Sequence, residues 1–291
     1  MGDGTQWSDS FTQDDYKAMV KDMFALGATR ISIGVQSFDD GLLSFLGRVH
    51  SSSQAKRAVE LAQIRFDNVS IDLMCGLPGQ TEEGFRNDLE LALQLGVKHV
   101  SVYPLMVEEG TPLFQRVEKG IDHIDEDLGA DLMQVAAEVL GDAGMHRYEV
   151  ASYAFDGFES RHNTAYWKGI PYLGCGPSAH SFNAETREWN TASLEGYIKS
   201  IEEGHRSSET EILDKVTRYN EYIMTSLRTM WGISLTYTEE AFGTELCQYC
   251  TKMAAPYLQS HKLEMQADRL RLTREGIFVS DGIISDLMFI D

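Results

Sequence analysis

Residues 71–81, IDLMCGLPGQT, place a carboxylate, Asp72, close to the end of a predicted strand. Side chains before and after it alternate between apolar and polar, which is the period-two pattern of a strand. A Gly-Pro turn follows, and Thr81 with two glutamates behind it is a typical helix start. The segment therefore predicts a strand–turn–helix unit in which Asp72 points away from the apolar face and is placed to bind a ligand.

The four cysteines show no disulfide framework and no zinc site. They are Cys75, Cys175, Cys247 and Cys250. A structural zinc site needs four ligands, and the CxxC pair at 247 and 250 has no second CxxC or HxxxH partner in the sequence. We therefore expect the pair to be ordinary helix cysteines. Such sparse cysteine usage fits a reducing compartment.

Two further segments share the phase of the strand at residues 69–74. Residues 30–36 and 98–103 each put β-branched side chains on one face and small or polar side chains on the other. In a parallel barrel the outer strand face packs on helices, so the polar face should line the interior. The polar set is Ser32, Gly34, Gln36, Ser70, Asp72, His99, Ser101 and Tyr103. The pattern favours a barrel with a polar, partly open interior that encloses a ligand.

Composition excludes several classes of function. The net charge of −20 over 291 residues argues against binding nucleic acid or an anionic membrane through bulk electrostatics. No apolar run approaches the ~20 residues of a membrane span, and the first residues lack the basic and apolar regions of a secretory signal. The sequence therefore predicts a cytoplasmic protein without a membrane span.

Periodicity divides the chain into three parts. Residues 1–11 are polar and predicted to be disordered. Residues 12–190 alternate helices and strands, then continue through an irregular connection at 104–124, a helix, a strand at 148–154 and a loop-rich stretch. Residues 191–291 indicate a mostly helical domain with a small β-hairpin, similar to a winged helix. The strand–helix units are too few for a closed eight-stranded barrel, which needs roughly 250 residues. The predicted fold class is therefore α/β, a partial barrel followed by a helical domain.

Eight motifs follow one another in the order found in one known family. They are RISIGVQSF (30–38), LGRVH (46–50), SIDLMCGLPGQT (70–81), EEGTP (108–112), YEVASYA (148–154), RHNTAYWKG (161–169), YLGCGPSAHSFN (172–183) and NEYIMTSLR (220–228). Together they resemble the radical S-adenosylmethionine (SAM) proteins related to oxygen-independent coproporphyrinogen III oxidase, and in particular their heme chaperone branch. The resemblance implies the C-terminal half of a TIM-like radical SAM barrel.

One part of the family pattern is missing from these residues. The family holds a [4Fe-4S] cluster on a CxxxCxxC loop and leaves the fourth iron to the amino and carboxylate groups of SAM. This sequence has no such motif, and it lacks the Gly-rich segment and the acidic residue of the family's earlier strands. A site-differentiated cluster needs three thiolate ligands. We therefore expect no cluster-binding residues and no turnover in this chain alone, as if the protein had been cut or its start lost.

The resemblance assigns four residues to SAM. Gln36, Arg48 and Asp72 match family residues that contact this cofactor, and Met106 matches a fourth, weaker contact. An arginine can pair with a carboxylate, while Gln and Asp side chains can hold ribose or amino groups. The alternative for Asp72 is a structural salt bridge, and for Arg48 a solvated surface position.

The HNxxYW motif is the candidate for heme or porphyrin contact. His162, Asn163, Tyr166 and Trp167 lie on a predicted loop, and His180 lies in a turn predicted to begin a helix. Aromatic rings can stack on a porphyrin, and an imidazole can offer an axial nitrogen to iron. The alternative is that the aromatic residues pack a domain joint and the histidines are hydrogen-bonded.

The resemblance implies a heme chaperone-like radical SAM protein in porphyrin metabolism. Its cofactors would be SAM and, in complete family members, the cluster, with heme as a further expected ligand. Its partners would be heme or a porphyrin and a heme-acceptor protein. Two alternatives stay open: an active coproporphyrinogen III dehydrogenase when complete, and a non-catalytic heme-binding or interaction module. The features that separate oxidase from chaperone lie partly around the cysteine loop.

Overall fold

The computed structural model of the chain describes residues 12–290. The disorder predicted for residues 1–11 lies outside that range. The chain forms two compact units, Met1–Glu159 and Ser160–Asp291. The domain boundary predicted at residue 190 falls inside the second unit.

The first unit is an α/β layer structure. Its strands are β1 (Arg30–Gln36), β2 (Asn68–Cys75), β3 (His99–Pro104), β4 (His146–Arg147) and β5 (Ser152–Ala154). Its helices are α1 (Gln13–Ala25), α2 (Asp40–Phe45), α3 (Ser52–Gln63), α4 (Glu82–Gln94), α5 (Pro112–Glu118) and α6 (Glu126–Asp142). The sheet order is β1-β2-β3-β5-β4, with β1, β2 and β3 parallel and β5 antiparallel to both neighbours. The three predicted strand–helix units are confirmed.

The register of this sheet explains its two faces. Apolar residues of β1, β2 and β3 pack with α1, α3, α4 and α6 in one core. On the opposite face Gly34 of β1, Asp72 of β2 and Ser101 of β3 lie side by side in register. Because paired residues of neighbouring strands point to the same side of a sheet, the polar face predicted from the alternation is formed as expected.

Two local predictions for the first unit were wrong. The connection at 104–124 contains α5, which starts with Thr111 as N-cap and Pro112 in its first turn, a favourable helix start. The strand predicted at 148–154 is shorter: only β5 is extended there, and it pairs antiparallel with β3. The buried Tyr148 lies on the turn that reverses the chain before β5.

The second unit combines two small antiparallel sheets with helices. Its strands are β6 (His180–Phe182), β7 (Thr186–Asn190), β8 (Ser208–Ile212), β9 (Ile233–Ser234), β10 (Leu263–Gln266) and β11 (Arg269–Leu272). Its helices are α7 (Arg161–Trp167), α8 (Leu194–Glu202), α9 (Lys215–Leu227), α10 (Leu235–Phe242), α11 (Thr244–Gln259) and α12 (Ser280–Leu287), with a 3-10 turn at Gly276–Val279. The sheets are β6-β7-β8 and β10-β11-β9. The predicted hairpin is β10–β11, and it shares a core with α9, α10, α11 and α12.

The structure corrects the predicted setting of the HNxxYW motif and of His180. The motif lies on helix α7, not on a loop, and Ser160 is its N-cap, accepting the Asn163 N–H at 3.4 Å. His180 begins strand β6 rather than a helix, because it pairs with Trp189 of β7. None of the helices within residues 12–290 has the length and apolarity needed to cross a membrane.

Candidate functional site

Gln36 and Arg48 meet above Gly34 at the carboxyl end of β1. A Cβ atom built on Gly34 would lie 2.8 Å from Gln36 Nε2 and 4.0 Å from Arg48 Nη2. Asp72 is the register partner of Gly34, so its side chain lies on the same face. The structure thus gathers Gln36, Arg48 and Asp72 around a position that has no side chain. We call this group the Gly34 pocket.

The backbone of Gln36 is what turns its side chain into this position. Gln36 has φ +70°, and the β1–β2 register shifts by one residue between Gly34 and Gln36. A bulge of this kind ends the regular pairing and re-aims a side chain. The left-handed conformation is costly for a residue other than glycine and is retained where neighbouring contacts fix it. Gln36 is only 8% exposed.

Asp72 is held by hydroxyl groups rather than by an ion pair. Ser32 Oγ donates to Asp72 Oδ1 at 3.3 Å. Burial raises the pKa of Asp72, while hydrogen bonds from Ser32 and Ser101 and the charge of Arg30 act in the opposite direction. Within residues 12–290 no Lys, Arg or His nitrogen lies within salt-bridge distance of Asp72, so a structural salt bridge does not account for it there. Its carboxylate keeps acceptor capacity for a ligand.

A buried network of hydrogen bonds between neutral side chains lies on the strands next to Asp72. His99 Nδ1 lies 2.8 Å from Ser70 Oγ, and its Nε2 lies 2.7 Å from Tyr148 Oη. Burial and the nearby Arg30 charge lower the pKa of His99 to about 3, so the imidazole is uncharged at neutral pH. Satisfied buried networks of this kind rigidify a site. The sequence placed His99 on the polar face but gave no sign of its two partners.

Met106, the fourth assigned residue, lies just beyond the end of β3 and is 71% exposed. The sequence reasoning missed Asp88, a buried acid of α4 that binds the turn after Gln36. A signal for it was present, because Asp88 shares the inward face of α4 with Phe85 and Leu89. An acid on an apolar helix face usually has a specific partner.

In the second unit, four rings line up from α7 to β6. The centroid of the His162 ring is 4.9 Å from that of Tyr166, Tyr166 is 4.7 Å from Tyr172, and Tyr172 is 5.9 Å from Phe182. Tyr172 and Phe182 also exchange two backbone hydrogen bonds of 2.9 Å. We call these four residues the aromatic row. His162 is exposed and Tyr166 is 44% exposed, so one end of the row is open.

His180 extends this surface along β6. It lies two residues before Phe182, on the same side of the strand, and its ring is 6.0 Å from Trp189. His180 and Asn163 are exposed, whereas Trp167 is half-buried. The structure therefore brings His162 and Tyr166 together and leaves the imidazoles of both His162 and His180 exposed.

The thiols within residues 12–290 do not fit an iron-sulfur cluster. Among these residues no group of three or more His, Cys, Asp or Glu is placed to hold a metal ion. Burial raises the pKa of Cys75 to about 12 and that of Cys250 to about 11, which disfavours the thiolate needed as a ligand. Cys247 and Cys250 lie within α11, and Cys250 belongs to its buried face.

Comparison with known proteins identifies both parts of the chain. Residues 8–92 match the model of the radical SAM superfamily, and residues 213–279 match the HemN C-terminal domain. The heme chaperone HemW of Bacillus subtilis is 34% identical over 274 residues, which are 93% of this chain and 72% of that protein. The heme chaperone HemW of Lactococcus lactis is 30% identical over 275 residues, covering 94% and 72% of the two chains.

Two further matches extend the comparison. Radical S-adenosyl methionine domain-containing protein 1, mitochondrial, of Mus musculus is 35% identical over 279 residues, 91% of this chain and 63% of its own length. The solved structure of coproporphyrinogen III oxidase (HemN) from Escherichia coli matches 94% of this chain and 67% of that chain with a TM-score of 0.74 and 18% identity. That likeness confirms the predicted fold. On these similarities, the chain belongs to the HemW family of heme chaperone-like radical SAM proteins.

Proposed function

We propose that this chain is a heme chaperone and that it binds heme on the aromatic row. The observation that carries the proposal is the exposed His162 imidazole, set edge-to-face 4.9 Å from the half-open Tyr166 ring. Imidazole is a common axial ligand of heme iron, and aromatic faces stack on flat conjugated rings. His180, on the same side of β6 as Phe182, is the second choice of ligand.

An exposed site suits delivery better than storage. A ligand bound at His162 would rest on the partly exposed Tyr166 ring instead of a closed cavity. A heme held this way stays within reach of an acceptor protein, which can supply its own ligands to the iron. Two relatives of this chain are themselves named heme chaperones. Asn163 and Trp167, which lie on the same helix α7, stay proposed as further heme contacts.

We expect His162→Ala to shift the Soret band and to weaken hemin binding at least tenfold, which corresponds to about 1.4 kcal/mol. The measurement is a spectrophotometric hemin titration of the 291-residue chain. His180→Ala tests the second choice of ligand, and His123→Ala, which removes an exposed imidazole of the other unit, is the matched control. Spectra and affinity that are unchanged in both His162→Ala and His180→Ala would place the iron ligand elsewhere. Uptake by the unmodified chain no better than that of albumin would refute the chaperone proposal.

SAM is the ligand we propose for the first unit. The chemistry of the Gly34 pocket supports it, because the Gln36 amide and the Arg48 guanidinium both lie within 4.0 Å of the position that a Gly34 Cβ would take. Arg48 would pair with the carboxylate of SAM, and Gln36 and Asp72 would hold its amino and ribose groups. Met106 stays a proposed fourth contact. SAM would supply a sulfonium for radical chemistry only beside a reduced cluster, and residues 12–290 gather no group of three ligands for one.

We expect Gly34→Ala to weaken SAM binding about tenfold, or about 1.4 kcal/mol. Its backbone is not in a conformation reserved for glycine, so the new methyl acts through its 2.8 Å approach to Gln36 Nε2. Isothermal titration calorimetry with SAM measures the change. Gly141→Ala is the matched control, since a Cβ there meets no atom within 4 Å. Equal affinity in both variants would show that the Gly34 pocket is not where SAM binds.

A further inference from the structure

We propose that Asp88 of α4 is a positioning residue of the SAM site, because it fixes the turn that carries Gln36 and leads to Arg48. The proposal rests on the proposed role of those two residues in SAM binding. Asp88 itself lies behind the turn, at 5% exposure.

One carboxylate takes two hydrogen bonds from consecutive residues of the turn. Ser37 Oγ donates to Asp88 Oδ2 at 2.7 Å, and the Phe38 N–H donates to Asp88 Oδ1 at 2.9 Å. Ser37 is fully buried, which shields its bond from bulk water, and the bond from the Phe38 N–H is partly buried. Hydrogen bonds to an ionised acceptor are stronger than neutral ones. Asp88 therefore clamps β1 to α4 immediately after Gln36.

This clamp explains how Gln36 keeps its unusual backbone. A left-handed conformation at a glutamine persists only where the surrounding structure over-determines it. The residue after Gln36 is held by its side chain and the next one by its backbone, both on Asp88. The Ser37 N–H also donates to the Val35 carbonyl at 2.9 Å, but the two bonds to Asp88 are what tie this turn to α4. When they weaken, we expect the Gln36 amide to move from its place beside Gly34.

The same clamp reaches Arg48 through α2. Ser37 Oγ also accepts the N–H of Asp39, and Asp39 is the N-cap of α2, accepting the Leu42 N–H at 2.9 Å. At the other end of α2 the Arg48 N–H donates to the Leu43 carbonyl at 2.9 Å. Ser37 therefore fixes the start of α2, the helix that leads to Arg48. Asp88 in turn fixes the position of Ser37.

An amide can replace the carboxylate in this position only with weaker hydrogen bonds. Asn has one acceptor oxygen and two N–H donors, so in Asp88→Asn the oxygen must face the Phe38 N–H and the NH₂ must face the Ser37 hydroxyl, which can rotate and accept. Both bonds then join neutral groups, and such bonds are weaker than bonds to a carboxylate. Asp88→Asn thus keeps the size of the side chain and weakens the clamp.

The test compares Asp88→Asn with Glu90→Gln, an exposed acid-to-amide change on the same helix. The ligands are S-adenosylhomocysteine and 5′-methylthioadenosine, which lacks the amino acid group that Arg48 would bind. We expect Asp88→Asn to weaken S-adenosylhomocysteine binding more than 5′-methylthioadenosine binding, so that the ratio of the first affinity to the second falls about tenfold. We also expect faster hydrogen exchange at the Phe38 amide. Glu90→Gln should change neither. A purely structural role would weaken both ligands alike and leave the ratio unchanged.

The outcomes separate this inference from the proposed function. An unchanged affinity ratio with unchanged exchange at Phe38 overturns the role of Asp88. If Asp88→Asn does not fold, Ser37→Ala decides, because it removes the 2.7 Å bond to Asp88 and the 3.0 Å bond from the Asp39 N–H but keeps the Phe38 bond, and it must still lower the ratio. If the unmodified chain binds neither ligand, the proposed SAM site fails. Hydrogen exchange then still tests the clamp: faster exchange at Phe38 in Asp88→Asn supports it, and exchange as slow as in the unmodified chain refutes it.

Discussion

Anaerobic reconstitution with iron and sulfide should leave this chain without a [4Fe-4S] cluster. Three thiolates must converge on such a cluster, and within residues 12–290 no group of three potential metal ligands does so. Cys75 lies at the end of β2 and Cys250 within α11, each buried with a raised thiol pKa. Either thiol could lose its proton and reach iron only if the segment around it unfolded. We therefore expect these cysteines to bind no iron stably, not even part of a cluster.

Iron and sulfide analysis, with electron paramagnetic resonance after reduction, measures this result. Cys175 is the exposed thiol and the natural place for adventitious iron, so Cys175→Ser serves as the control for nonspecific uptake. About four irons per chain together with a reduced-cluster signal would contradict the prediction. The same result would support the alternative that the protein is an active coproporphyrinogen III dehydrogenase, since that reaction depends on the cluster.

The first unit was predictable because its signals are local and repeated. Period-two alternation gave β1 without error and gave β2 and β3 within a residue or two at each end, and the shared phase gave the polar face. The second unit was harder because its short strands owe their conformation to distant partners. His180 follows a Gly-Pro-Ser-Ala sequence that looks like a helix start, yet pairing with Trp189 makes it extended. Tertiary pairing overrides local preference in such segments.

The candidate sites show the same limit. Resemblance supplied Gln36, Arg48 and Asp72, but the φ of +70° that directs Gln36 has no sequence signature. Nor could periodicity show that the aromatic row runs from α7 to β6, since Tyr166 and Phe182 meet only through Tyr172. Residue types predicted which groups could act, while the geometry came from turns and pairings that only the folded chain defines.

The aromatic row depends on a glycine, and we expect Gly174→Ala to damage it severely. A Cβ on Gly174 would lie 2.2 Å from the carbonyl oxygen of His180 and 2.8 Å from its nitrogen. Both are backbone atoms of β6, which is fixed by pairing with β7, so the strand cannot yield as a side chain would. Gly174 is also tied to this strand by its N–H, which donates to Ser181 Oγ at 3.0 Å.

The chain must therefore open between Gly174 and β6, and the adjacent Tyr172–Phe182 bridge must open with it. We expect Gly174→Ala to lower the free energy of unfolding of the second unit by about 3 kcal/mol, as overpacking typically costs, and to weaken hemin binding more than tenfold, or about 1.4 kcal/mol. Urea denaturation and hemin titration measure the two effects. Cys175→Ala, at the exposed neighbouring position, should change neither. Lowered stability with normal hemin binding in Gly174→Ala would show that heme does not depend on the aromatic row, because the contact between Tyr172 and Phe182 cannot survive the displaced loop; normal stability would contradict the expected clash itself.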